Sequence, residues 1–269
     1  VTTVAGSARR EAVRKLYLEF FELAERKRRW SVFDDVPWDM MNVEFNDPDR
    51  ALCAETFCGI EMYLPDYVST GINLVRDSFG QAWFHANWAY EESKHGLVLR
   101  EWLVRTGQRT PDEMGAFEQA VLARRWELPF STPEQMTAYG LIQETTALVS
   151  YKIELEHARQ SGDPVLDRIY SLIARDEAAH ASFYARVYAL LLEEDRTRAC
   201  ADLADVFAGF TMPGDGLVPD YDRRLGVVQR RGMDRERFFT DVWTRILHGL
   251  GVTRGELRRA SRVLRGAGA

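Results

Sequence analysis

The chain has few cysteines, few lysines and no long apolar run. Only three cysteines occur in 269 residues (Cys53, Cys58 and Cys200), and no two form a Cys-x-x-Cys pair. That excludes a disulfide framework and a cysteine-built zinc site, and fits reduced thiols in the cytoplasm. Nothing approaches the roughly 18–20 consecutive apolar residues that a membrane-spanning helix needs, so no membrane association is expected. The opening VTTVAGSARR lacks the apolar segment of a secretory signal. Four lysines stand beside 31 arginines, a ratio no fold requires and GC-rich coding explains. The net charge of −6 speaks against a protein whose main task is gripping nucleic acid phosphates. Alternating strand patterns are also scarce. What remains is a globular chain, 46% hydrophobic and 28% charged, long enough to bury a sizeable core.

Helical periodicity fills the space those absences leave. A first amphipathic helix is expected over about 7–29, followed by an extended connection, SVFDDVPWDMMNVEFNDPD. Asp47 or Asp49 would cap a long helix reaching about Asp77, and Gly80 would separate it from another that ends at Thr106, before Gly107. A shorter helix over about 111–125 precedes the loop WELPFSTPEQ. Thr132, with Pro133 behind it, caps a long helix to Ser161-Gly162, and Pro164 opens one running to about Asp195. A loop over 211–222 and two or three shorter helices complete the chain. No linker or low-complexity tract interrupts it. The expectation is an all-α single domain over 1–269: a bundle of long helices over about 7–195 and a helical extension over about 196–269. Residues 215–269 hold 12 arginines and seven acids, a local +5 that leaves −11 on residues 1–214. Such a basic quarter is either a solvated face or a dock for an acidic partner.

Three Glu-x-x-His matches occur: Glu92/His95, Glu154/His157 and Glu177/His180. With 22 glutamates and five histidines in the chain, about 0.4 would arise by chance, so spacing alone selects none of them. On a helix, positions i and i+3 share a face, and a carboxylate and an imidazole there can reach one point. The faces separate the matches. The first lies in the stripe Trp88, Glu92, His95, Leu99, Trp102, and the third in Tyr170, Ile173, Glu177, His180, Tyr184, Val187, Leu191. Both stripes are otherwise apolar and face the core. Glu154/His157 shares its face with Ser150 and Ser161, which reads as solvent-facing.

Two lone glutamates repeat the anomaly. Glu144 lies among Leu141, Leu148, Tyr151 and Leu155, and Glu61 among Phe57, Leu64, Val68, Ile72 and Val75. An ionised carboxylate buried in such a stripe costs several kcal/mol unless it is paired or coordinated. Four helices thus each present a carboxylate inward, and two add a histidine. Carboxylates and imidazoles in this ratio suit two Fe or Mn ions, whereas zinc sites prefer fewer oxygens. Salt-bridged structural acids, or a core histidine satisfied by one acid, explain a single pair. They do not explain six inward polar groups on four helices without a compensating set of buried arginines or lysines.

The segments EMYLPDY around Glu61, YEESKHGLVLREWLVRTG around Glu92 and His95, QETTALVSY around Glu144 and ARDEAAHASFY around Glu177 and His180 resemble the soluble acyl-ACP desaturases, ferritin-like di-iron enzymes. The resemblance spans roughly residues 10–195. It implies a ferritin-like fold in which Glu61, Glu92, His95, Glu144, Glu177 and His180 are metal ligands, with Glu92 and Glu177 bridging. It also implies an electron route through Trp30, Asp176 and His95. Asp176 adjoins a ligand and can hold an imidazole N–H, which fixes the tautomer. One position departs from the family: where it carries a threonine three residues after the third-helix glutamate, this chain has Ala147.

The resemblance implies an O2-dependent di-iron oxidase, with two Fe ions or Mn, that places a cis double bond in an acyl chain on acyl carrier protein. A ferredoxin-type protein would supply electrons, and a homodimer is expected. Trp88, Tyr184 and Met62 are candidates to line the acyl slot. Ala147 keeps a second outcome open, hydroxylation or N-oxygenation at the same cluster. A third reading, from another class, is a ferritin-like iron-binding protein.

Overall fold

In the computed structural model, which describes residues 4–267, proline and its neighbours set where helices begin. Pro48, Pro65, Pro111, Pro133 and Pro164 each stand in the first turn of a helix, where the absent amide forfeits no intrahelical bond and φ is already set. The residue before four of them caps the helix. Asp47 accepts from the amide of Arg50, Thr110 from Glu113, Thr132 from Gln135, and Asp163 from Val165 and Leu166. At Thr110 the Glu113 side chain returns the bond to the cap backbone, satisfying two otherwise orphan donors.

The helices are α1 (Val4–Leu23), α2 (Pro48–Glu61), α3 (Leu64–Leu74), α4 (Phe79–Arg105), α5 (Pro111–Leu122), α6 (Pro133–Ser161), α7 (Pro164–Glu194), α8 (Arg196–Gly209), α9 (Tyr221–Arg230), α10 (Arg235–Arg237), α11 (Thr244–Gly249) and α12 (Arg254–Ala267). A π-helical turn, Ala24–Arg28, prolongs α1, and another, Phe238–Trp243, joins α10 to α11. No strand occurs among the described residues. Helices α2, α4, α6 and α7 surround the centre of the bundle, and α1 packs across α4 and α7. Gly162, left-handed at φ 73°, and Asp163 fold α6 back onto α7, the most extensive helix pairing in the molecule. Val13 on α1, Leu99 on α4, Ile142 on α6, Ile173 on α7 and Leu257 on α12 belong to one continuous apolar core.

Two expectations change. The single helix expected from Asp47 to Asp77 is two, α2 and α3, broken at Met62 and Tyr63. Pro65 has no amide to offer the carbonyl of Glu61, so the helical ladder cannot continue past that residue. Gly80, expected as a separator, lies inside the first turn of α4. A Cβ there would sit 2.5 Å from the backbone carbonyl of Val13, so glycine permits α1 to cross at close range.

The basic C-terminal quarter is stapled to the acidic body. Arg224 on α9 pairs with buried Glu55 at 2.7 Å, Arg231 with Glu154 at 2.5 Å, and Arg230 with Asp49 at 3.5 Å. Part of the charge asymmetry in the sequence is therefore internal compensation. No helix among the described residues is long and apolar enough to cross a membrane.

Candidate metal centre

Four elements converge on one point. The break after α2 leaves Glu61 at that helix's last position, α4 brings Glu92 and His95, α6 brings Glu144, and α7 brings Glu177 and His180. Two groups of potential ligand atoms form there. Glu61, Glu92, His95 and Glu177 make one, and Glu92, Glu144, Glu177 and His180 the other, each with its donor atoms within 4.8 Å of one another. Glu92 and Glu177 belong to both.

The two shared carboxylates divide their oxygens between the groups. Glu92 places Oε2 at 3.2 Å from His95 Nδ1 and Oε1 at 2.9 Å from His180 Nδ1. Glu177 places Oε1 at 3.3 Å from His95 Nδ1 and Oε2 at 3.6 Å from His180 Nδ1. Glu144 Oε2 stands 3.3 Å from His180 Nδ1. Despite this crowding, Glu92 Oε1, both oxygens of Glu177 and Nδ1 of His180 make no hydrogen bond. Buried polar atoms that stand close yet are not aimed at one another are what a coordinated ion between them would require.

Charge points the same way. Burial, reinforced by neighbouring carboxylates, holds Glu61 and Glu144 well above the ordinary carboxylate range. Burial also opposes ionised Glu92, but the imidazoles of His95 and His180 outweigh it and hold that carboxyl low. The imidazoles are pushed up in turn, carboxylates outweighing burial. No arginine or lysine among the described residues pairs with any of the four candidate-ligand glutamates; Arg28 and Arg29 serve Glu91 and Asp176 instead. Two divalent cations would neutralise four carboxylates. The residues present therefore fit a dinuclear metal group.

The outward edges of the imidazoles are held as well. His95 Nε2 faces Asp176 Oδ2 at 3.4 Å, and His180 Nε2 faces Glu91 Oε2 at 2.7 Å. An Nε2–H donated outward leaves each Nδ1 lone pair directed at the ligand carboxylates. Trp30, the other outlying residue selected from the sequence, is buried and donates its indole N–H to Asp176 Oδ2 at 2.7 Å. Its ring lies nearly parallel to that of His95, with centroids 6.5 Å apart. The Lys94 ammonium sits 4.5 Å above the Trp30 ring and 5.0 Å from the exposed Tyr90 ring.

Sequence reasoning passed over Glu91, Arg28 and Tyr151. The Tyr151 hydroxyl donates to Glu61 Oε1 at 2.7 Å. A signal for Glu91 existed, because each of the two inward Glu-x-x-His pairs is preceded by an acid, Glu91 in one and Asp176 in the other. The third pair was misplaced. Glu154 is buried, not solvent-facing, and the Arg231 guanidinium neutralises it, with His157 Nε2 taken by the Arg231 carbonyl at 2.7 Å. It was right that this pair stands apart from the centre, but the reason is an arginine rather than water.

A narrow cleft reaches Glu144, lined by Trp88, His85, Tyr139, Trp126 and Tyr184. Trp88 also donates its indole N–H to Glu144 Oε1 at 3.1 Å. Burial pushes His85 down to about 4, leaving it uncharged at neutral pH. Of the three residues expected to line such a slot, Trp88 and Tyr184 do so. Met62 caps α2 at the helix break and does not.

Comparison with known proteins agrees with this architecture. The family model described as fatty acid desaturase matches residues 59–261. A rice protein, acyl-[acyl-carrier-protein] desaturase 4, chloroplastic, is 31% identical over 166 residues, 58% of this chain and 40% of that protein. An Arabidopsis thaliana protein, stearoyl-[acyl-carrier-protein] 9-desaturase 6, chloroplastic, is 32% identical over 183 residues, 62% of this chain and 46% of that protein. The chain thus spans less than half the length of these two curated relatives. Among solved structures, DesA2 of Mycobacterium tuberculosis H37Rv superposes with a TM-score of 0.67 at 20% identity, covering 94% of this chain and 99% of that one. An R2-like ligand-binding oxidase from Sulfolobus acidocaldarius gives 0.55 at 18% identity, covering 90% and 93%. These two likenesses show a shared all-α fold.

Proposed function

The chain belongs to the fatty acid desaturase family, and we propose that it is an O2-dependent di-iron oxidase that introduces a cis double bond into an acyl chain carried on acyl carrier protein. The observation that carries this reading is the pair of ligand groups sharing Glu92 and Glu177. Glu61 and His95 would complete one metal position and Glu144 and His180 the other, with Fe the first assignment and Mn the alternative. A metal pair of this kind, when bound, supplies the activation of O2 and the removal of hydrogen from an unactivated methylene pair. Overall, one O2, two electrons, two protons and the two abstracted hydrogens leave as two waters and an alkene.

The chain's own side chains prepare that chemistry. Glu91 and Asp176 accept the outward N–H of the imidazoles and hold their tautomers. Tyr151 and Trp88 each donate to one carboxylate, Glu61 and Glu144, and so fix the oxygens left to face the ions. The aromatic cleft at Glu144 would hold an acyl segment and exclude water from it. The linkage Trp30–Asp176–His95 offers an electron path to the centre. In this reading the electron donor is a ferredoxin-type protein, the setting the cytoplasm and the assembly a homodimer.

One observation favours a second outcome at the same centre. Ala147 carries no hydroxyl, and the threonines beside it do not replace one. Thr145 and Thr146 donate to the carbonyls of Leu141 and Ile142, each at 2.7 Å. The missing hydroxyl makes oxygen insertion (hydroxylation or N-oxygenation) the alternative. The deciding experiment is metal analysis of the purified protein, then turnover on a panel of acyl-carrier substrates with reductant, the products read by mass spectrometry. Loss of two hydrogens supports desaturation, and gain of an oxygen atom supports insertion. Oxygen uptake that stops once the bound metal is oxidised, whatever the substrate, would instead mark an iron-binding protein.

A further inference from the structure

The carboxylates that orient the two imidazoles are joined by a single guanidinium. Arg28 Nη1 lies 2.9 Å from Glu91 Oε2 and 3.2 Å from Asp176 Oδ1. Glu91 in turn holds Nε2 of His180, and Asp176 holds Nε2 of His95. The run His180–Glu91–Arg28–Asp176–His95 therefore closes, on the outside of the centre, the same circuit that Glu92 and Glu177 close on the inside.

Nothing in the Glu-x-x-His segments supplies this group. Arg28 comes from the π-helical turn after α1 and is 7% exposed. Its guanidinium lies 4.6 Å from the Phe20 ring, which limits how it can swing. Arg29 takes the other oxygen of Glu91 at 2.7 Å. The outer layer is thus balanced on its own, two guanidinium charges against two carboxylates, and it adds no net charge for the ions to compensate. Both Arg28 bonds leave one nitrogen, Nη1, whose two N–H bonds lie in the guanidinium plane and point in fixed directions, whereas the N–H bonds of an ammonium rotate. Glu91 and Asp176 are thereby fixed relative to each other, and with them the directions of both Nδ1 lone pairs.

We propose that Arg28 is a positioning residue that couples the two metal positions, so that two ions load as a pair; this rests on the dinuclear reading above. Without Arg28 the outer carboxylates turn independently. The first ion then orders one imidazole and leaves the other unprepared.

The test is an anaerobic titration of the metal-free protein with Co(II), following the ligand-field absorption and the bound stoichiometry. The wild-type chain is expected to rise along one profile to two ions, with no singly loaded form. Arg28→Met should accumulate a singly loaded form and bind its second ion about tenfold or more weakly, the scale of losing an orienting partner. Arg28→Lys keeps the charge but not the fixed in-plane pair of N–H bonds, and should also load stepwise. It decides the matter if Arg28→Met does not fold. Arg231→Met, which removes a comparable arginine from Glu154, should load as wild type. A folded Arg28→Lys or Arg28→Met protein that takes up two ions in one step, even with a lower Tm, overturns the proposal. A wild-type chain that binds fewer than two ions sinks the dinuclear reading, and the proposal with it.

Discussion

The indole N–H of Trp30 donates to Asp176 Oδ2 at 2.7 Å, and the same oxygen lies 3.4 Å from Nε2 of His95. One carboxylate oxygen therefore connects the buried Trp30 ring to a candidate ligand at the centre. Trp30→Phe keeps an aromatic ring, though a smaller one, and deletes the N–H. Asp176 retains Arg28 and His95, so the expected stability loss is modest, about 1–2 kcal/mol. Bound metal should stay at the wild-type level. Turnover driven by a protein electron donor should fall about tenfold, equivalent to about 1.4 kcal/mol of barrier, while a single turnover of chemically reduced protein should change little. Equal losses in both assays would show that Trp30 shapes the centre rather than feeding it.

Glu177 contributes to both ligand groups, whereas Glu61 and Glu144 contribute to one each. Glu177→Ala should therefore abolish loading of both positions, and Glu144→Ala, which removes a donor from one position of a coupled pair, should lower bound metal well below two ions per chain. Glu154→Gln provides the contrast. It strands the Arg231 guanidinium, 14% exposed, and should lower stability by about 3 kcal/mol, the low end for a broken buried pair. Its metal content should not change. Elemental analysis of the three purified variants, with a denaturation curve for each, separates ligand from structural acid.

The comparison of these glutamates shows what a sequence can and cannot reveal. Helical periodicity placed Glu61, Glu92, Glu144 and Glu177 on inward faces, because each lies among apolar residues three and four positions away. The same rule put Glu154 outside, since Ser150 and Ser161 share its face. Ser150 is in fact buried, its hydroxyl donating to the Thr146 carbonyl at 2.9 Å. A serine that bonds its own helix is as buriable as an alanine, and periodicity cannot tell the two states apart. Arg231, which neutralises Glu154, lies 77 residues away in sequence. Arg28 escaped notice for a similar reason. Its role arises only where α1 meets α4 and α7, and no local pattern encodes that contact. The helix break at Met62 was legible in principle from Pro65, but the apolar stripe that continues through Val68 and Ile72 masked it.

The metal-free protein should respond to alkali in one direction. Burial and like charge raise the carboxyls of Glu61 and Glu144, and surrounding carboxylates raise the imidazoles of His95 and His180. A group raised in the folded state favours folding while its unfolded counterpart still holds its proton. That support disappears as pH climbs through the folded value. The Tm of metal-free protein should accordingly fall as pH rises from about 6, near the ordinary imidazole range, into the alkaline range. Ions displace those protons, so metal affinity should rise over the same interval and loaded protein should show a flatter profile. Calorimetry of both forms across that interval checks the sign. A metal-free Tm that climbs with pH would contradict the electrostatic account of the centre.

Two helical glycines should respond to the same substitution with opposite signs. Gly115 lies within α5, and a Cβ there would meet nothing within 4 Å. Gly115→Ala should stabilise the protein by about 0.5–1 kcal/mol, because alanine loses less backbone entropy on entering a helix. Gly80, in the first turn of α4, faces the backbone of α1. A Cβ would stand 2.5 Å from the Val13 carbonyl oxygen and 2.7 Å from the Arg14 nitrogen. Backbone cannot rotate aside as a side chain can, so α1 must be displaced as a unit. Gly80→Ala should cost about 1–3 kcal/mol, the range for overpacking. Helix α1 leads directly into Arg28 and Trp30, so the displacement should also reach the metal centre. Gly80→Ala is thus expected to weaken donor-driven turnover, while Gly115→Ala leaves it unchanged. Denaturant unfolding and turnover measured on both variants check the pair, and a stabilising Gly80→Ala would show that α1 does not sit tightly against α4.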